Sequence, residues 1–388
     1  MERIVVVTNP MPKNNRSSEV TINKLLSIIL ESVESTILLG GNLAGIIERQ
    51  HLYIRNVAYK NSDSKLIKIL YYLLFQIKMF FIAMNLIRKD DEVFFWIADK
   101  MILPFFAAKL KQAKVNYFLY GNVGIEGSRS RITALSEKVI LYMANHADHI
   151  CVESPSVIKQ WKIKKNKADI RIIHLYVDNC VAPRTQGTPK NNTVGMICRL
   201  TEGKRVLESI HGFNEFYKKF PEWKLQIVGN GKLFDKCVEK IDGLQAKNHI
   251  QMLGWIEHEH IADITSTWIL LLLPTDTEGL PNALIESMVQ YTPALASPVG
   301  GICDIIIDGK NGWLLSESTA EEIAKGLERA LYSNNYEMVS LAAYHTIENQ
   351  FSFVSSVENF KEQICFVDGN EKTKTIDYRE HLREGNIL

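Results

Sequence analysis

Four charged side chains stand where they could act on a phosphorylated sugar. Arg199 and Lys204 follow a predicted strand and lie in the loop before the next helix. Two cations in such a loop can hold a diphosphate, although pairing with surface carboxylates is the ordinary alternative. Glu278 follows a second apolar strand, and Glu286 lies about one turn into the helix after it. A carboxylate at that position can accept hydrogen bonds from both hydroxyls of a ribose.

Glycines occur in the loops beside these charged residues. Gly229-Asn230-Gly231 follows the strand Leu225–Val228, and Gly300-Gly301 follows a later strand. Glycine allows a tight turn and a close approach of the backbone to a ligand, although Gly229-Asn230-Gly231 alone is also typical of a simple turn. Pro281, after the Glu278 loop, is typical of a first helical position. The free N–H groups of that helix start could bind an anion.

The apolar pattern predicts sheets that position these loops. Short apolar strands alternate with longer helices, which predicts parallel sheets covered by helices on both faces. The predicted strands are Ile4–Thr8, Thr36–Leu39, Glu92–Ile97, Val115–Leu119, His149–Val152, Ile170–Ile173, Thr193–Cys198, Lys224–Val228, Ile250–Leu253, Ile269–Leu273, Ala294–Ala296 and Gly312–Leu315. A polar linker with two prolines and a glycine, Asn179–Pro189, separates the two series. We therefore expect two Rossmann-like domains whose parallel sheets face each other across a cleft.

Composition limits the class of protein. The chain has 388 residues, of which 46% are hydrophobic and 23% are charged, as in a soluble globular protein of two or three domains. Its six cysteines are scattered without a C-x-x-C pair, so a zinc site or a disulfide framework is not expected and a cytoplasmic location fits best. The first strand is not followed by G-x-G-x-x-G, which disfavours a nicotinamide oxidoreductase built on the first domain.

The two halves of the chain carry opposite charge. Residues 1–185 hold 26 Lys and Arg against 16 Asp and Glu, a net charge of +10, whereas residues 186–388 hold 19 against 28, a net charge of −9. The basic half should prefer an anionic partner such as a membrane surface or a phospholipid-linked substrate. Nucleic acid is the least favoured partner, because the sequence has no zinc finger, no basic tail and no run of RNA-stacking aromatic residues.

One segment of the basic half is unusually apolar. The 22 residues 66–87 would form a helix of about 33 Å, long enough to cross a bilayer. The polar residues within and beside it fall on roughly one half of a helical wheel: Lys65, Lys68, Gln76, Lys78, Asn85 and Lys89. This pattern favours a basic amphipathic helix that lies on a membrane. A helix packed inside the domain and a membrane span are the alternatives.

Six motifs occur in a fixed order in the second half. They are G-x-x-x-R-L-x-x-x-K at Gly195–Lys204, V-G-N-G at Val228–Gly231, L-G-W at Leu253–Trp255, P-T-x-x-E-G-L-P-N-A-L-I-E at Pro274–Glu286, T-P at Thr292-Pro293 and V-G-G at Val299–Gly301. With them the chain resembles the group-1 family of retaining glycosyltransferases, which have the GT-B fold. The resemblance is strongest over residues 193–330, and the E-x7-E pair formed by Glu278 and Glu286 is the signature of that family.

The resemblance implies a role for each of these residues. Arg199 and Lys204 would hold the diphosphate of a nucleotide-sugar, with UDP-sugar favoured, and would stabilise its charge as it leaves. Glu278 would contact the donor sugar, and Glu286 would hold the ribose hydroxyls. Further donor contacts would come from Gly229, Asn230, Gly231, Gly279, Leu280, Pro281 and Asn282. Since the two cations and the helix start do the work of Mg²⁺, the resemblance implies no metal and no cofactor.

The first domain would bind the acceptor, and it departs from the family pattern. Many members have a His-Gly pair after the strand equivalent to Val115–Leu119, but this chain has Tyr120-Gly121 there. The residues that could replace the histidine are Tyr120, Asn122, Asp99 and Glu126. Lys13 and Arg16 could contact an acceptor phosphate, with a solvated loop as the alternative. The candidate acceptor residues are therefore Lys13, Arg16, Asp99, Tyr120 and Asn122.

We expect four segments. They are an acceptor-binding domain at 1–182, a nucleotide-sugar domain at 190–350, a helix at 351–367 that crosses back to the first domain and a polar tail at 368–388. The expected activity is retaining, metal-independent transfer of a hexose or N-acetylhexosamine to a lipid-linked or surface-polysaccharide acceptor, as in lipopolysaccharide or capsule biosynthesis. The expected location is peripheral, on the inner face of the cytoplasmic membrane. A non-transferring sugar-nucleotide epimerase and an inactive nucleotide-sugar-binding subunit are the alternatives.

Overall fold

The structure, a computed structural model, describes residues 3–11, 16–98, 100–120, 131–161, 163, 169–178 and 191–365. These residues form two compact units. The first contains the described residues up to Tyr176 together with a final helix that starts at Phe353, and the second contains those from Val177 to Ser352. All of the predicted linker at Asn179–Pro189 and all of the predicted tail at 368–388 lie outside the described residues.

The first unit is built on one parallel sheet of seven strands. The strands are β1 (Arg3–Val7), β2 (Ser35–Gly41), β3 (Leu52–Val57), β4 (Glu92–Phe95), β5 (Lys114–Leu119), β6 (His149–Val152) and β7 (Asp169–Ile172), and the helices are α1 (Arg16–Leu30), α2 (Lys65–Leu86), α3 (Ile102–Leu110), α4 (Arg131–His146) and α5 (Pro155–Gln160). The strand order is β3-β2-β1-β4-β5-β6-β7. The inner strands are apolar and buried on both faces, as expected when helices cover a parallel sheet.

Strand β3 has no counterpart among the predicted strands. It is the edge strand of the described sheet, where it pairs with β2, and its side chains alternate between partly buried and exposed positions. Arg55 and Asn56 therefore interrupt the apolar run that identified the other strands. An edge strand with one solvated face carries a weaker apolar signal than an inner strand.

The second unit repeats the design with six parallel strands. The strands are β8 (Thr193–Ile197), β9 (Lys224–Val228), β10 (Ile250–Gly254), β11 (Leu270–Leu273), β12 (Ala294–Ala296) and β13 (Trp313–Leu314), and the helices are α6 (Val206–Tyr217), α7 (Phe234–Asp242), α8 (Ile261–Thr265), α9 (Asn282–Met288), α10 (Ile302–Ile305), α11 (Ala320–Leu331) and α12 (Tyr336–Phe351). The strand order is β10-β9-β8-β11-β12-β13. The prediction of two parallel sheets with covering helices is confirmed.

The last helix, α13 (Phe353–Cys365), packs in the first unit. Val357, Phe360 and Ile364 are buried in the core cluster that also contains residues of β1 and α1. The ring centroids of Phe360 and Phe94 lie 5.7 Å apart. The backbone N–H of Ile172 donates a hydrogen bond to Gln363 Oε1 at 3.1 Å. The first unit is therefore assembled from both ends of the described chain.

Candidate active site

The loops after β8 and β11 leave the second sheet at its topological switch point. Strand β8 lies between β9 and β11, so the chain runs outward from β8 to one side through β9 and β10 and then returns to the other side at β11. Ligands of open parallel sheets bind at such a point, beyond the carboxyl ends of the strands. Arg199 and Lys204 follow β8, and Glu278 follows β11.

Lys204 and Glu278 form an ion pair across these two loops. The Lys204 ammonium donates hydrogen bonds to Glu278 Oε1 and, at 3.4 Å, to Thr275 Oγ1. Each of the two charged side chains is only 16% exposed, so the pair is better shielded from solvent than a surface salt bridge. The structure thus brings together the predicted diphosphate cation and the predicted sugar-contacting carboxylate.

Further hydrogen bonds hold the two loops together. The Asp276 N–H donates to the Gly203 carbonyl at 2.9 Å, and the Thr275 hydroxyl donates to the same carbonyl at 3.2 Å. Arg205, which the motif analysis passed over, donates from Nε to Asp276 Oδ1 at 2.6 Å. Its backbone is left-handed, with φ 46°. The residues on either side of Lys204, Gly203 and Arg205, are therefore both hydrogen-bonded to the loop after β11.

Two neighbours of Lys204 differ in their surroundings. Arg199 is exposed and forms no ion pair with the described residues, so its guanidinium is open to an anionic ligand. Cys198 is partly buried, and burial raises the pKa of its thiol to about 12, partly offset by the nearby Lys204 charge. The thiol is therefore neutral at physiological pH and is a poor nucleophile.

The glycine loop after β9 packs tightly against the loop after β8. The Gly229 N–H donates to the Gly254 carbonyl at 2.7 Å, and the Leu200 N–H donates to the Asn230 carbonyl at 3.0 Å. Gly229 has φ 135°, and a Cβ on it would lie 1.9 Å from the Cys198 carbonyl oxygen. The loop requires glycine at this position for both its conformation and its packing.

The helix α9 begins one residue later than expected. Pro281 is the N-cap residue, with φ −76° and ψ 116°, and the helix runs from Asn282 to Met288. Proline was predicted at the first helical position, so that detail was wrong. The Gly279 carbonyl accepts a hydrogen bond from the Gly301 N–H at 2.7 Å. This bond joins the predicted donor-binding residues before α9 to the V-G-G loop after β12.

Glu286, on α9, is paired with a histidine that the sequence analysis did not select. His258 Nε2 lies 2.9 Å from Glu286 Oε1, and the Glu286 side chain is 19% exposed. His258 lies in the short 3-10 helix that follows β10. His258 and Glu286 are 28 residues apart, and none of the six motifs contains both of them. The pairing fixes one carboxylate oxygen and leaves the other for a ligand.

The part of the chain that contains these residues matches a known protein family. Residues 183–346 match the family model described as glycosyl transferases group 1. The second unit belongs to this glycosyltransferase family. Glu278, Glu286, Arg199 and Lys204 all lie inside the matched residues.

Relatives of this glycosyltransferase include curated proteins and solved structures. It is 24% identical over 246 residues to an uncharacterized glycosyltransferase of Haemophilus influenzae, covering 62% of this chain and 67% of that protein. It is 27% identical over 137 residues to the putative colanic acid biosynthesis glycosyltransferase WcaL of Salmonella typhimurium, covering 34% of each. The structure of HepE from Anabaena, solved with UDP, matches 94% of this chain and 100% of its own with a TM-score of 0.73 at 16% identity. The likeness confirms the GT-B fold.

The structure describes only some of the predicted acceptor residues. Lys13, Asp99 and Asn122 lie outside the described residues, and Arg16 begins α1 with its side chain outside them. Tyr120, at the end of β5, has a buried hydroxyl, and its ring centroid lies 5.5 Å from that of Trp96. Burial, followed by the charge of Glu153, raises the pKa of Tyr120 well above its ordinary value.

Glu153 is a further residue that the motif analysis passed over. It directly follows β6, at the carboxyl edge of the first sheet where Tyr120 also lies. Burial raises the pKa of its carboxyl from 4.5 to about 7. A carboxyl perturbed in this way at the ligand-binding edge of a parallel sheet is a candidate functional group. Its position immediately after a predicted strand was the available sequence signal.

The raised pKa of Glu153 predicts a pH effect on stability. Between about pH 4.5 and 7 the folded protein keeps a proton that the unfolded chain releases, so stability falls as pH rises through this window. Because the side chain is partly exposed, we expect a loss of about 1–2 kcal/mol, less than the full shift would give. Urea unfolding at pH 4.5 and 7.5 should show this loss in the wild type but not in Glu153→Gln. Glu239→Gln, at an exposed position of α7, should retain it, and an equal loss in all three proteins would contradict the prediction.

The His258–Glu286 pair predicts an effect on donor affinity. Replacing His258 with alanine should weaken binding of a nucleotide-sugar about 3- to 10-fold, because a hydrogen bond that orients a charged group contributes about 1 kcal/mol or slightly more. Turnover at saturating donor should change less than twofold. Isothermal titration with UDP and steady-state kinetics measure the two effects. His260→Ala is the matched control, since its imidazole is exposed and, among the residues that the structure describes, forms ion pairs only with Glu259 and Asp263. An unchanged UDP affinity in His258→Ala would show that His258 does not position Glu286 for donor binding.

Proposed function

We propose that the protein is a retaining, metal-independent glycosyltransferase that moves a hexose or N-acetylhexosamine from a UDP-sugar to a lipid-linked or surface-polysaccharide acceptor. The observation that carries the proposal is the shielded Lys204–Glu278 pair at the carboxyl edge of β8 and β11. Uridine as the base is supported by HepE, which has been solved with UDP and with UDP-glucose.

Lys204 changes partner when the donor binds. Before binding, Glu278 satisfies its ammonium. A diphosphate carries more negative charge than a carboxylate and therefore attracts the ammonium more strongly. The released Glu278 oxygen can then accept a hydrogen bond from a hydroxyl of the donor sugar. The same pair thus links recognition of the diphosphate to recognition of the sugar.

The transfer step places growing charge beside the two cations. As the bond between the anomeric carbon and the diphosphate oxygen breaks, negative charge accumulates on the leaving diphosphate, where Lys204 and Arg199 stabilise it. Because this interaction is stronger in the transition state than in the bound donor, it raises turnover. The acceptor hydroxyl attacks from the side of the leaving group and gives its proton to a leaving phosphate oxygen, which retains the anomeric configuration.

The acceptor class has separate support. Residues 1–185 carry a net charge of +10, which favours an anionic or membrane-associated substrate. WcaL, a relative, is named for colanic acid biosynthesis, which supports a role in surface polysaccharide assembly. An acceptor carried on a lipid would place the enzyme on the inner face of the cytoplasmic membrane.

A ligand screen followed by a transfer assay tests the proposal. UDP at 100 times its dissociation constant should stabilise the full chain by about 2.7 kcal/mol, whereas GDP and ADP should have smaller effects. A UDP-hexose or UDP-N-acetylhexosamine should then be consumed only with a glycosyl acceptor. NMR should show the donor's anomeric configuration in the product, and excess EDTA should leave the rate unchanged. Strict dependence on a divalent metal, or conversion of the donor sugar to its epimer without acceptor, would overturn the proposal.

A further inference from the structure

Helix α2 carries a concentration of exposed apolar side chains. Of the 21 large apolar residues that are exposed among the described residues, eight lie on this helix: Leu66, Ile67, Ile69, Leu70, Leu73, Leu74, Ile77 and Phe81. Leu66 is 80% exposed and Phe81 is 62% exposed. Single exposed apolar residues are ordinary, but a contiguous set of this size marks an interaction site. By length and composition α2 could also cross a membrane.

The buried side of α2 fixes which side faces outward. Phe75, Gln76, Met79 and Ala83 are buried against the core of the first unit. Gln76 donates from Nε2 to the Lys100 carbonyl at 2.8 Å and accepts from the Leu103 N–H at 2.9 Å. The expectation that Gln76 lies on an exposed polar face was therefore wrong. Its amide satisfies backbone groups around the start of α3.

The outward side of α2 is apolar rather than polar. Leu70, Leu74, Ile77 and Phe81 follow a spacing of four, three and four residues, which places them in one stripe opposite the buried side. Because the buried residues hold the helix in the first unit, α2 cannot cross a bilayer without leaving its core. The arrangement fits a helix that lies along a surface and presents the stripe to it.

The apolar stripe continues onto the neighbouring helices. Helix α3 packs beside α2 and exposes Phe106 and Leu110, and the ring centroid of Phe106 lies 6.4 Å from that of Tyr142 on α4. The three helices cover the same face of the sheet and share one core cluster. We call this surface the apolar face; it comprises Leu70, Leu74, Ile77, Phe81, Phe106, Leu110 and Tyr142.

Charge around the apolar face selects its partner. Lys65, Lys68 and Lys78 are exposed on α2, and neither α2 nor α3 contains an Asp or Glu. On α4 the one carboxylate, Glu137, is partly buried and stands next to the exposed Lys138. Two copies of the chain meeting at this face would bring these lysines together with no carboxylate from either helix to neutralise them. An anionic bilayer neutralises the lysines and at the same time accepts the apolar side chains.

We propose that the apolar face docks the protein on a bilayer that contains anionic phospholipid, with α2 lying along the membrane surface. The inference goes beyond the proposed transfer reaction and does not depend on it. The stripe enters the boundary between headgroups and acyl chains. Lys78 lies beside the stripe, and Lys65 and Lys68 lie in the first turn of α2, from where their long side chains reach toward the lipid phosphates. In this orientation the apolar contacts contribute most of the free energy of membrane binding. The lysines contribute a smaller part, which salt screens.

Vesicle flotation with the full chain tests the docking surface. The wild type should float with vesicles of phosphatidylcholine and phosphatidylglycerol, bind phosphatidylcholine alone more weakly, and lose affinity severalfold but not completely between 0.1 and 0.5 M NaCl. The triple variant Leu74→Glu, Ile77→Glu and Phe81→Glu should bind at least about 10-fold more weakly. The matched control changes three exposed apolar residues elsewhere to glutamate: Val238, Met338 and Val354. It should float like the wild type.

Two further measurements separate the possible outcomes. Thermal unfolding and the UDP-induced shift of each variant show whether the fold and the donor site are intact, so failure of UDP binding alone would affect only the proposed function. Sedimentation velocity shows whether the chain self-associates. The proposal is overturned if the wild type ignores anionic vesicles at low salt or if the control variant loses as much binding as the triple variant. It is also overturned if the triple variant only converts a dimer into a monomer without changing flotation.

Discussion

Replacing Lys204 with alanine should lower the turnover of the glycosyltransferase by about 10²- to 10³-fold, the effect of removing one preorganised charged group from a transition state. Glu278 and Thr275 hold the ammonium at the carboxyl edge of β8 and β11 until the diphosphate replaces the Glu278 carboxylate, so Lys204 is already beside the diphosphate when charge develops on it. Steady-state kinetics with the UDP-sugar identified by the ligand screen measure the effect. The loss should fall mainly on kcat, because the interaction strengthens in the transition state.

The stability of this variant separates catalysis from folding. A lysine in a loop usually buries little of its side chain, and its removal then barely changes stability. The structure shows Lys204 paired and only 16% exposed, so its side chain is more buried than expected, and we now predict a loss of about 1–2 kcal/mol from the stranded Glu278 carboxylate. Adding Glu278→Gln should recover part of this stability but none of the turnover. Lys247→Ala, at an exposed position away from the site, is the control, and wild-type turnover in Lys204→Ala would refute the assignment.

Replacing Gly229 with alanine should destabilise the protein by about 3 kcal/mol or more and abolish measurable UDP binding. The new Cβ would lie 1.9 Å from the Cys198 carbonyl oxygen, and φ 135° is a conformation that alanine rarely adopts. The loops after β8 and β9 must then separate, which breaks the hydrogen bond between Leu200 and Asn230. Chemical denaturation and UDP titration measure the two losses.

Gly243→Ala is the matched control, because it makes the same substitution at a glycine that has room for a Cβ. Gly243 ends α7 with φ −85°, and the nearest atom to a Cβ there would be 3.9 Å away. Gly243→Ala should therefore change stability by less than about 0.5 kcal/mol and leave UDP binding intact. If Gly229→Ala behaves like this control, the close approach of the two loops does not exist in solution.

The sequence predicted most of the strands because buried parallel strands are continuous apolar runs. Lys224–Val228, His149–Val152 and Ala294–Ala296 have the predicted bounds, and the other predicted strands differ by one or two residues at their ends. The edge strand Leu52–Val57 was missed because solvent faces one side of it. Local pattern thus identified the elements where burial on both faces leaves a clear signal.

Tertiary contacts explain what the sequence did not predict. Gln76 was assigned to a polar face by helical periodicity, but its amide binds the backbone of another element. His258 gains its surroundings from Glu286, which is 28 residues away, and leaves no local signal. Glu153 gains its raised pKa from burial, and its place directly after a predicted strand was its one local signal. In contrast, Lys204 and Glu278 follow two predicted strands and do lie together, because the carboxyl ends of parallel strands meet at one edge of the sheet.

The position of α13 has a consequence for biosynthesis. The first unit needs Val357, Phe360 and Ile364 to fill its core, yet the ribosome makes these residues only after the whole second unit. At about 5–20 residues per second, roughly 10–35 s separate the end of β7 from the emergence of α13. During that interval the nascent first unit exposes the apolar surface around Phe94 that Phe360 will cover. The second unit can therefore complete its own core before the first unit does, although it is synthesised later. The half of the chain that is synthesised first is the last to finish folding.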